Sequence, residues 1–346
     1  MSLSNPSQLL LRNEDLLQSN SPLVVGCPDS DFFSHLQAAA PMAKISSYQV
    51  NFAQHQSIAS RFSEQINCVF SEHYQSEVKH DLAIIYFPKS KKEYQFLLAM
   101  LAPILADNAV ILVVGENKGG VKSAEKLSNE YCLSSSKIDS ARHCILYEII
   151  FNNVASEFNL AQWYEHFIVK VNDLEIKVAS LPGVFSNGEL DNGTQLLLEH
   201  LPKGISGKVL DFGCGAGIIG SYVNKVNSNT EVDMLDVNAL AIASAKQTLA
   251  LNQLKGNVFA SDGLSNVQGK YHAVLSNPPF HQGIKTNYQA TETFLKGIKK
   301  HLNKNATLTI VANNFLKYAP IIKAEIAPCE QLANVKGFAI HHCKIQ

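Results

Sequence analysis

Apolar residues along this chain fall into short runs separated by stretches of helical periodicity, most clearly in the second half. Runs at Lys208–Phe212, Val232–Leu235, Asn257–Ala260, Ala273–Ser276 and Ala306–Ala312 predict strands. The stretches Ile218–Val226, Leu240–Asn252 and Thr291–Leu302 predict helices between them. Continuous rather than alternating apolar runs are what strands buried on both faces require, and strand–helix alternation implies a mostly parallel sheet covered by helices. Ahead of this unit, Phe167–Val171 and Leu174–Val178 alternate in polarity around Asn172-Asp173, which predicts a β-hairpin. An apolar helix, Thr194–Leu201, follows, with Asp191 or Asn192 as its cap.

The first half echoes the second. Leu23–Pro28 parallels Val209–Cys214, and Asp81–Pro88 parallels His272–Pro278. A helical stretch Lys92–Leu105 leads to Ala109–Val114, as Glu292–Leu302 leads to Ala306–Val311, and Ala141–Cys144 resembles Ala339–Cys343. A duplicated α/β unit accounts for this, although any strand–helix chain has some self-similarity. At 346 residues, two domains are also the better expectation from length. We place them at residues 1–165 and 166–346. Where the second copy has Gly213, Gly215 and Gly217, the first has Gly26, Pro28 and Ser30. Where the second has Asn277-Pro278-Pro279-Phe280, the first has Tyr86-Phe87-Pro88-Lys89. Pro28 also removes a backbone donor. The first copy is therefore expected to bind no cofactor and to position substrate or support the fold.

Those glycines close the segment Val209-Leu210-Asp211-Phe212-Gly213-Cys214-Gly215-Ala216-Gly217, which reads as a strand, a tight loop and a helix start. Glycine permits positive φ and removes the Cβ that would block a ligand, and a helix N-terminus offers unpaired N–H groups. Gly215, Gly217 and Gly220 also satisfy the dinucleotide pattern, with Asp236 as the following acid. Asp211 favours S-adenosylmethionine instead, because a carboxylate at the strand end accepts from an ammonium group and repels a pyrophosphate. Asp236 is suited to the ribose hydroxyls. Asp262, in Ser261-Asp262-Gly263, suits the adenine amino group, with a plain turn aspartate equally weighted.

The second motif is Asn277-Pro278-Pro279-Phe280, after the apolar run Ala273-Val274-Leu275. An exocyclic amine on a base is a poor nucleophile because its lone pair is delocalised into the ring. Two acceptors holding its N–H bonds, the Asn277 side-chain oxygen and the Pro278 carbonyl, would aim that lone pair at a methyl carbon. The prolines stiffen the loop, and Phe280 can stack on a base. A paired base would have to be flipped out or met unpaired. Asn277, Pro278 and Phe280 are the expected catalytic residues. Asp211, Gly213, Cys214, Gly215, Gly217, Asp236, Asp262 and Asn277 are the expected cofactor contacts. The expected fold class is α/β, with two tandem Rossmann-like class I methyltransferase domains, the first degenerate.

Composition narrows the setting. Hydrophobic residues make up 46% and charged residues 17%, which suits a globular protein. Neither a membrane-length apolar stretch nor a signal-peptide pattern stands out, so a cytoplasmic protein without a membrane partner is expected. The seven cysteines include no C-x-x-C pair and read as reduced thiols. His341-His342-Cys343 reads as a terminal strand rather than a metal site, because neighbours on a strand point to opposite faces. No metal is expected. Residues 1–169 carry 12 Lys and Arg against 17 Asp and Glu, a net −5, whereas residues 170–346 carry 17 against 13, a net +4. The catalytic half is thus mildly basic, as an RNA-facing half would be, or simply lysine-rich at its surface.

Over residues 180–318 the sequence resembles the small-subunit ribosomal RNA guanine-N2 methyltransferases of RsmC type. The resemblance rests on Leu181-Pro182-Gly183-Val184-Phe185-Ser186, Leu190-Asp191, Gly193, Gln195–Leu198, the glycine loop, Asn277–His281, Leu302-Asn303 and Ile310–Leu316. It implies a degenerate first domain and methylation of guanine N2 at nucleotide 1207 of 16S ribosomal RNA in the assembled small subunit. It also implies that Asp211, Gly213, Gly215, Asp236 and Asp262 bind cofactor, and that Asn277 with Pro278 holds the guanine amine. A monomer is expected. The chain departs from the family at Asn187-Gly188-Glu189, where Arg-Asp-Gly is usual, at Asn192, usually apolar, and at Asp262, often Asn. The rival readings are a large-subunit guanine-N2 methyltransferase, a protein glutamine N-methyltransferase, and a non-catalytic ribosome assembly factor.

Overall fold

A computed structural model of the chain describes residues 3–154, 157–185, 188–278 and 285–346. The chain forms two compact units, Met1–Trp163 and Tyr164–Gln346. Among the described residues, no helix is long and apolar enough to cross a membrane.

The first unit contains β1 (Pro22–Val25), β2 (Ser46–Gln49), β3 (Asn67–Phe70), β4 (His80–Tyr86), β5 (Leu105–Glu116), β6 (Cys132–Ala141) and β7 (Cys144–Phe151). Its sheet runs in the order β3-β2-β1-β4-β5-β7-β6. The second unit opens with a hairpin of β8 (Glu165–Val171) and β9 (Leu174–Ser180). Its sheet contains β10 (Gly207–Phe212), β11 (Thr230–Asp236), β12 (Asn257–Ala260), β13 (Tyr271–Ser276), β14 (Leu302–Asn313), β15 (Cys329–Val335) and β16 (Phe338–Lys344). The order, β12-β11-β10-β13-β14-β16-β15, is the same arrangement. In both sheets only the last two strands in spatial order run antiparallel to their neighbours. The duplication read from the sequence is therefore present in topology.

Register aligns the two copies residue by residue. The Gly26 N–H donates to the Tyr48 carbonyl at 3.0 Å, and the Gly213 N–H to the Leu235 carbonyl at 2.9 Å. Val25 pairs with Ile85 as Phe212 pairs with Ser276. Gln49 thus stands where Asp236 does, and Tyr86 where Asn277 does.

Each sheet encloses apolar cores. Leu9, Phe32, Phe33 and Leu112 are fully buried in the first unit, and Val274, Phe294, Ile298 and Leu308 in the second. The hairpin turn places Asn172 at φ 49° and Asp173 at φ 63°, the paired left-handed geometry a two-residue turn needs. Strand β9 lies against the helix Ala239–Leu251, where the Ala179 N–H donates to Thr248 Oγ1 at 3.1 Å and the Leu181 N–H to Ser244 Oγ at 3.0 Å. These side-chain acceptors satisfy backbone donors of the strand edge and fix the segment that leads to the helix Asn192–Glu199.

Two helix ends differ from the sequence reading. The helix expected to reach Leu105 stops at Leu101 and tightens to a 3-10 turn at Ala102–Ile104, because Pro103 offers no N–H and restricts the residue before it. The helix expected over Thr291–Leu302 runs Lys285–Gly297, then a 3-10 turn to His301. Leu302 instead begins β14, opposite Tyr271 in the sheet. His341 and His342 lie within the terminal strand β16, with His342 Nδ1 2.9 Å from Thr309 Oγ1.

Gly217 shows how tightly the second unit is packed behind its loop. Its φ is +76°, and a Cβ there would lie 2.9 Å from Ala245 Cβ and 3.0 Å from Ala245 Cα. The helices Ile218–Val226 and Ala239–Leu251 approach too closely at that point for any side chain. Gly217→Ala is expected to lower the unfolding free energy by about 1–3 kcal/mol through backbone strain, with the clash adding to it. Urea unfolding followed by circular dichroism checks this, and an unchanged midpoint would contradict it.

Candidate active site

The glycine loop lies where parallel α/β sheets carry their ligands, beyond the C-terminal end of β10 and between it and the neighbouring strands β11 and β13. Asp211 is buried to 0% exposure near the end of β10. Its Oδ2 accepts from the Gly220 N–H at 2.8 Å, and its Oδ1 has no partner. One oxygen therefore caps the helix Ile218–Val226 and the other is left for something else. Burial, and then the charge of Asp236, push the Asp211 carboxyl up to about 7. Asp236, at the end of β11, accepts from the Gly215 N–H through Oδ2 and from the Asn238 N–H through Oδ1, each at 3.0 Å. Burial raises its pKa as well.

Several amides of the loop are already used within the chain. The N–H groups of Gly213 and Cys214 both go to the Leu235 carbonyl, that of Gly217 to the Cys214 carbonyl, and those of Gly215 and Gly220 to the two aspartates. What the loop offers is space. At Gly213 and Gly215 an added Cβ would meet nothing within 4 Å, and both have positive φ. At Gly217 the missing Cβ serves packing instead. The Cys214 side chain is buried, and burial holds its thiol well above the usual range. Asp262 is exposed at the rim, on a turn built by Ser261, whose Oγ accepts from the Asn266 N–H and donates to the Gly263 carbonyl.

Asn277 follows β13 and is 8% exposed. Its Nδ2 donates to Thr194 Oγ1 at 2.7 Å and to Asp191 Oδ2 at 3.0 Å, while its Oδ1 has no partner. Pro278 beside it is buried. Phe280, expected as the stacking ring, lies outside the described residues, as do Pro279, His281, Ser186 and Asn187 of the same two segments. An unpaired buried acceptor is costly unless something fills it, so the Asn277 oxygen marks a place for a donor.

Comparisons with known proteins identify the family. The methyltransferase small domain family matches residues 175–342, and the N-terminal methyltransferase small domain family matches residues 7–167. Ribosomal RNA small subunit methyltransferase C of Colwellia psychrerythraea is 45% identical over 100% of this chain and 99% of its own length. The same enzyme of Vibrio vulnificus is 43% identical over 97% of each chain. The chain belongs to the ribosomal RNA small subunit methyltransferase C family. A T. thermophilus 16S rRNA N2 G1207 methyltransferase, solved with AdoMet and guanosine, shares its fold with a TM-score of 0.82 at 20% identity, over 96% of this chain and 91% of that one.

Within this methyltransferase C fold, the structure brings Asp211, Asp236, Gly213 and Gly215 together at the loop, and Asn277 to the end of the adjacent strand. Sequence reasoning gave Asp191 only as a helix cap and did not single out Thr194. The D-x-x-T spacing ahead of an apolar helix is the signal that could have found them. Asn192 is exposed at the helix start, where a polar residue is at ease.

Asp211 makes stability depend on pH. The unfolded carboxyl loses its proton near 4, whereas the folded one keeps it up to about 7. The penalty of ionising it is therefore absent at pH 3 and complete above about 7. Asp211→Asn keeps an acceptor for Gly220 and removes the charge. The variant is expected to gain unfolding free energy over the wild type as pH rises from 5 to 8, measured by urea titration at each pH. A difference that stays constant with pH would contradict the assignment.

Proposed function

We propose that this chain transfers a methyl group from S-adenosylmethionine to the exocyclic N2 of guanine 1207 of 16S ribosomal RNA. It acts as a monomer on the assembled small subunit in the cytoplasm. The observation that carries this reading is the Asn277 carboxamide, whose amino group is fully engaged and whose buried oxygen is not. The T. thermophilus neighbour acts on the same atom, and its complex holds AdoMet and guanosine.

The residues present fit the cofactor. The orphaned Asp211 Oδ1 is an acceptor suited to an ammonium group, and Gly213 and Gly215 leave the adjoining space open. Asp236 retains a lone pair on each oxygen for the ribose hydroxyls, and Asp262 stands at the rim for the adenine amino group. When bound, S-adenosylmethionine supplies a methyl group activated by its sulfonium. The Asn277 Oδ1 and the Pro278 carbonyl accept the two N2–H bonds of a guanine lifted from its stack, which turns the nitrogen lone pair out of ring conjugation. Neither acceptor is a base at neutral pH, so their contribution is orientation and polarisation. Phe280 is the candidate for stacking on the base. The first unit, with Pro28 and Ser30 for glycines and Tyr86 for Asn277, serves as scaffold and substrate guide.

The deciding experiment is transfer of labelled methyl to purified small subunits, large subunits and total protein from cells lacking the enzyme, with the modified nucleoside identified. N2-methylguanosine in small-subunit RNA alone is expected. Label in large-subunit RNA or in protein glutamine would reassign the substrate, and no label with cofactor still bound would favour an assembly factor.

Asn277→Ala is expected to cut the transfer rate by about 100-fold or more while the cofactor Kd stays unchanged. Single-turnover kinetics and calorimetry separate the two, and equal turnover would remove Asn277 from the mechanism. Cofactor titration is expected to saturate at one equivalent per chain. A second equivalent would mean that the first unit has kept a working site.

A further inference from the structure

A carboxamide can sit in its slot two ways, and in only one does Asn277 present an acceptor to a substrate amine. We propose that Asp191 and Thr194 are positioning residues that lock this amide with its oxygen outward. The inference rests on the amine-methylating reading above.

Asp191 is the stronger constraint. An ionised carboxylate only accepts, so the group facing its Oδ2 at 3.0 Å must be the amide nitrogen. Turning the amide over would set oxygen against oxygen. Thr194 removes the remaining freedom. Its hydroxyl hydrogen points to Asp191 Oδ2 at 3.5 Å, which leaves its lone pair for Asn277 Nδ2 at 2.7 Å. Both amide hydrogens are then used, and Oδ1 is the one polar atom of the side chain without a partner.

The pair is itself held in place. Asp191 caps the helix Asn192–Glu199 by accepting from the Thr194 N–H at 2.9 Å, so cap and grip share one carboxylate oxygen. Gly193 lies between them, and a Cβ there would fall 3.0 Å from Asp191 Oδ2 and 3.2 Å from the Phe338 ring. A bare position is needed for the carboxylate to reach Asn277.

The first unit shows what this joint looks like without the chemistry. Ser4 caps the helix Asn5–Arg12 by accepting from the Ser7 N–H, and Ser7 Oγ lies 2.7 Å from the hydroxyl of Tyr86, the counterpart of Asn277. In both copies the residue three places after the cap holds the residue at the end of the fourth strand, and in the second copy the cap residue holds it as well. In the first copy Ser7 Oγ donates to Asp29 Oδ2 at 2.5 Å, so a carboxylate acts there through a hydroxyl, which accepts in turn from the Tyr86 hydroxyl. In the second, the Asp191 carboxylate faces the amide directly and fixes which end it presents. Both joints thus carry a carboxylate, and in the second it meets an amide, whose two ends differ.

The test uses the full-length protein and whichever substrate the wild type methylates, so a misassigned target leaves it intact. Thr194→Val keeps the shape and the helix cap but removes one acceptor. It is expected to slow single-turnover transfer by about tenfold or more, with melting temperature and cofactor Kd unchanged, and Thr194→Ser is expected to recover most of the rate. Asn277→Asp sets two carboxylates face to face, and a loss of about 100-fold or more is expected. Adding Asp191→Asn restores a donor–acceptor pair with reversed polarity and still leaves an acceptor outward, so the double variant is expected to regain about tenfold over Asn277→Asp. A merely structural joint would shift melting temperature in step with rate and show no such recovery. A Thr194→Val rate within about twofold of wild type, or a double variant no faster than Asn277→Asp, would overturn the proposal. Absence of methyl transfer by the wild type to any RNA or protein would overturn the enzymatic reading and this inference together.

Discussion

The buried carboxylate of Asp211 is the point on which the second unit turns. A charge-bearing group with no exposure is expensive in an apolar sheet, and here only one of its oxygens is satisfied by the chain. That oxygen joins β10 to the helix Ile218–Val226 and sets how tightly the glycine loop turns between them. Most of the loop's amides are then used internally, and its openness comes from missing side chains at Gly213 and Gly215. The fold accepts an unfavourable group at the place where a cationic ligand would make it favourable. Strain of this kind, tolerated at a site and balanced by the surrounding packing, is what distinguishes a binding sheet from a merely stable one.

The first unit is the same frame without that tension. Val24 occupies the level of Asp211, Pro28 replaces the open Gly215, and Tyr86 closes the position of Asn277. Each change exchanges an unsatisfied or open feature for a satisfied one. Gln49, the counterpart of Asp236, is the exception, since its Oε1 is buried without a partner. The copy has kept the architecture.

The fold was legible because its signals are local. Apolar runs, the Asn172-Asp173 turn and the glycine spacing each lie within a few residues, and the self-similarity of the halves exposed the duplication. The chemistry was legible where it is contiguous, as in Asn277-Pro278. What escaped is what folding brings together. Asp191 and Thr194 reach Asn277 across 86 and 83 residues of sequence, and no periodicity foretells that contact. The internal use of the loop amides was hidden for the same reason, since it depends on where Asp211 and Asp236 point. The misplaced helix ends trace to Pro103, whose effect was readable, and to Leu302, whose sheet partner Tyr271 was not.

Two acceptors side by side also count hydrogens. In the proposed reaction, Asn277 Oδ1 and the Pro278 carbonyl each take one N–H of an unmodified guanine amine. The product carries a single N–H, so one buried acceptor is left empty or meets a methyl group. Such a loss amounts to about 1–3 kcal/mol, enough to favour departure of the monomethylated base over a second round. In that reaction the geometry that recruits the amine would also favour a single addition.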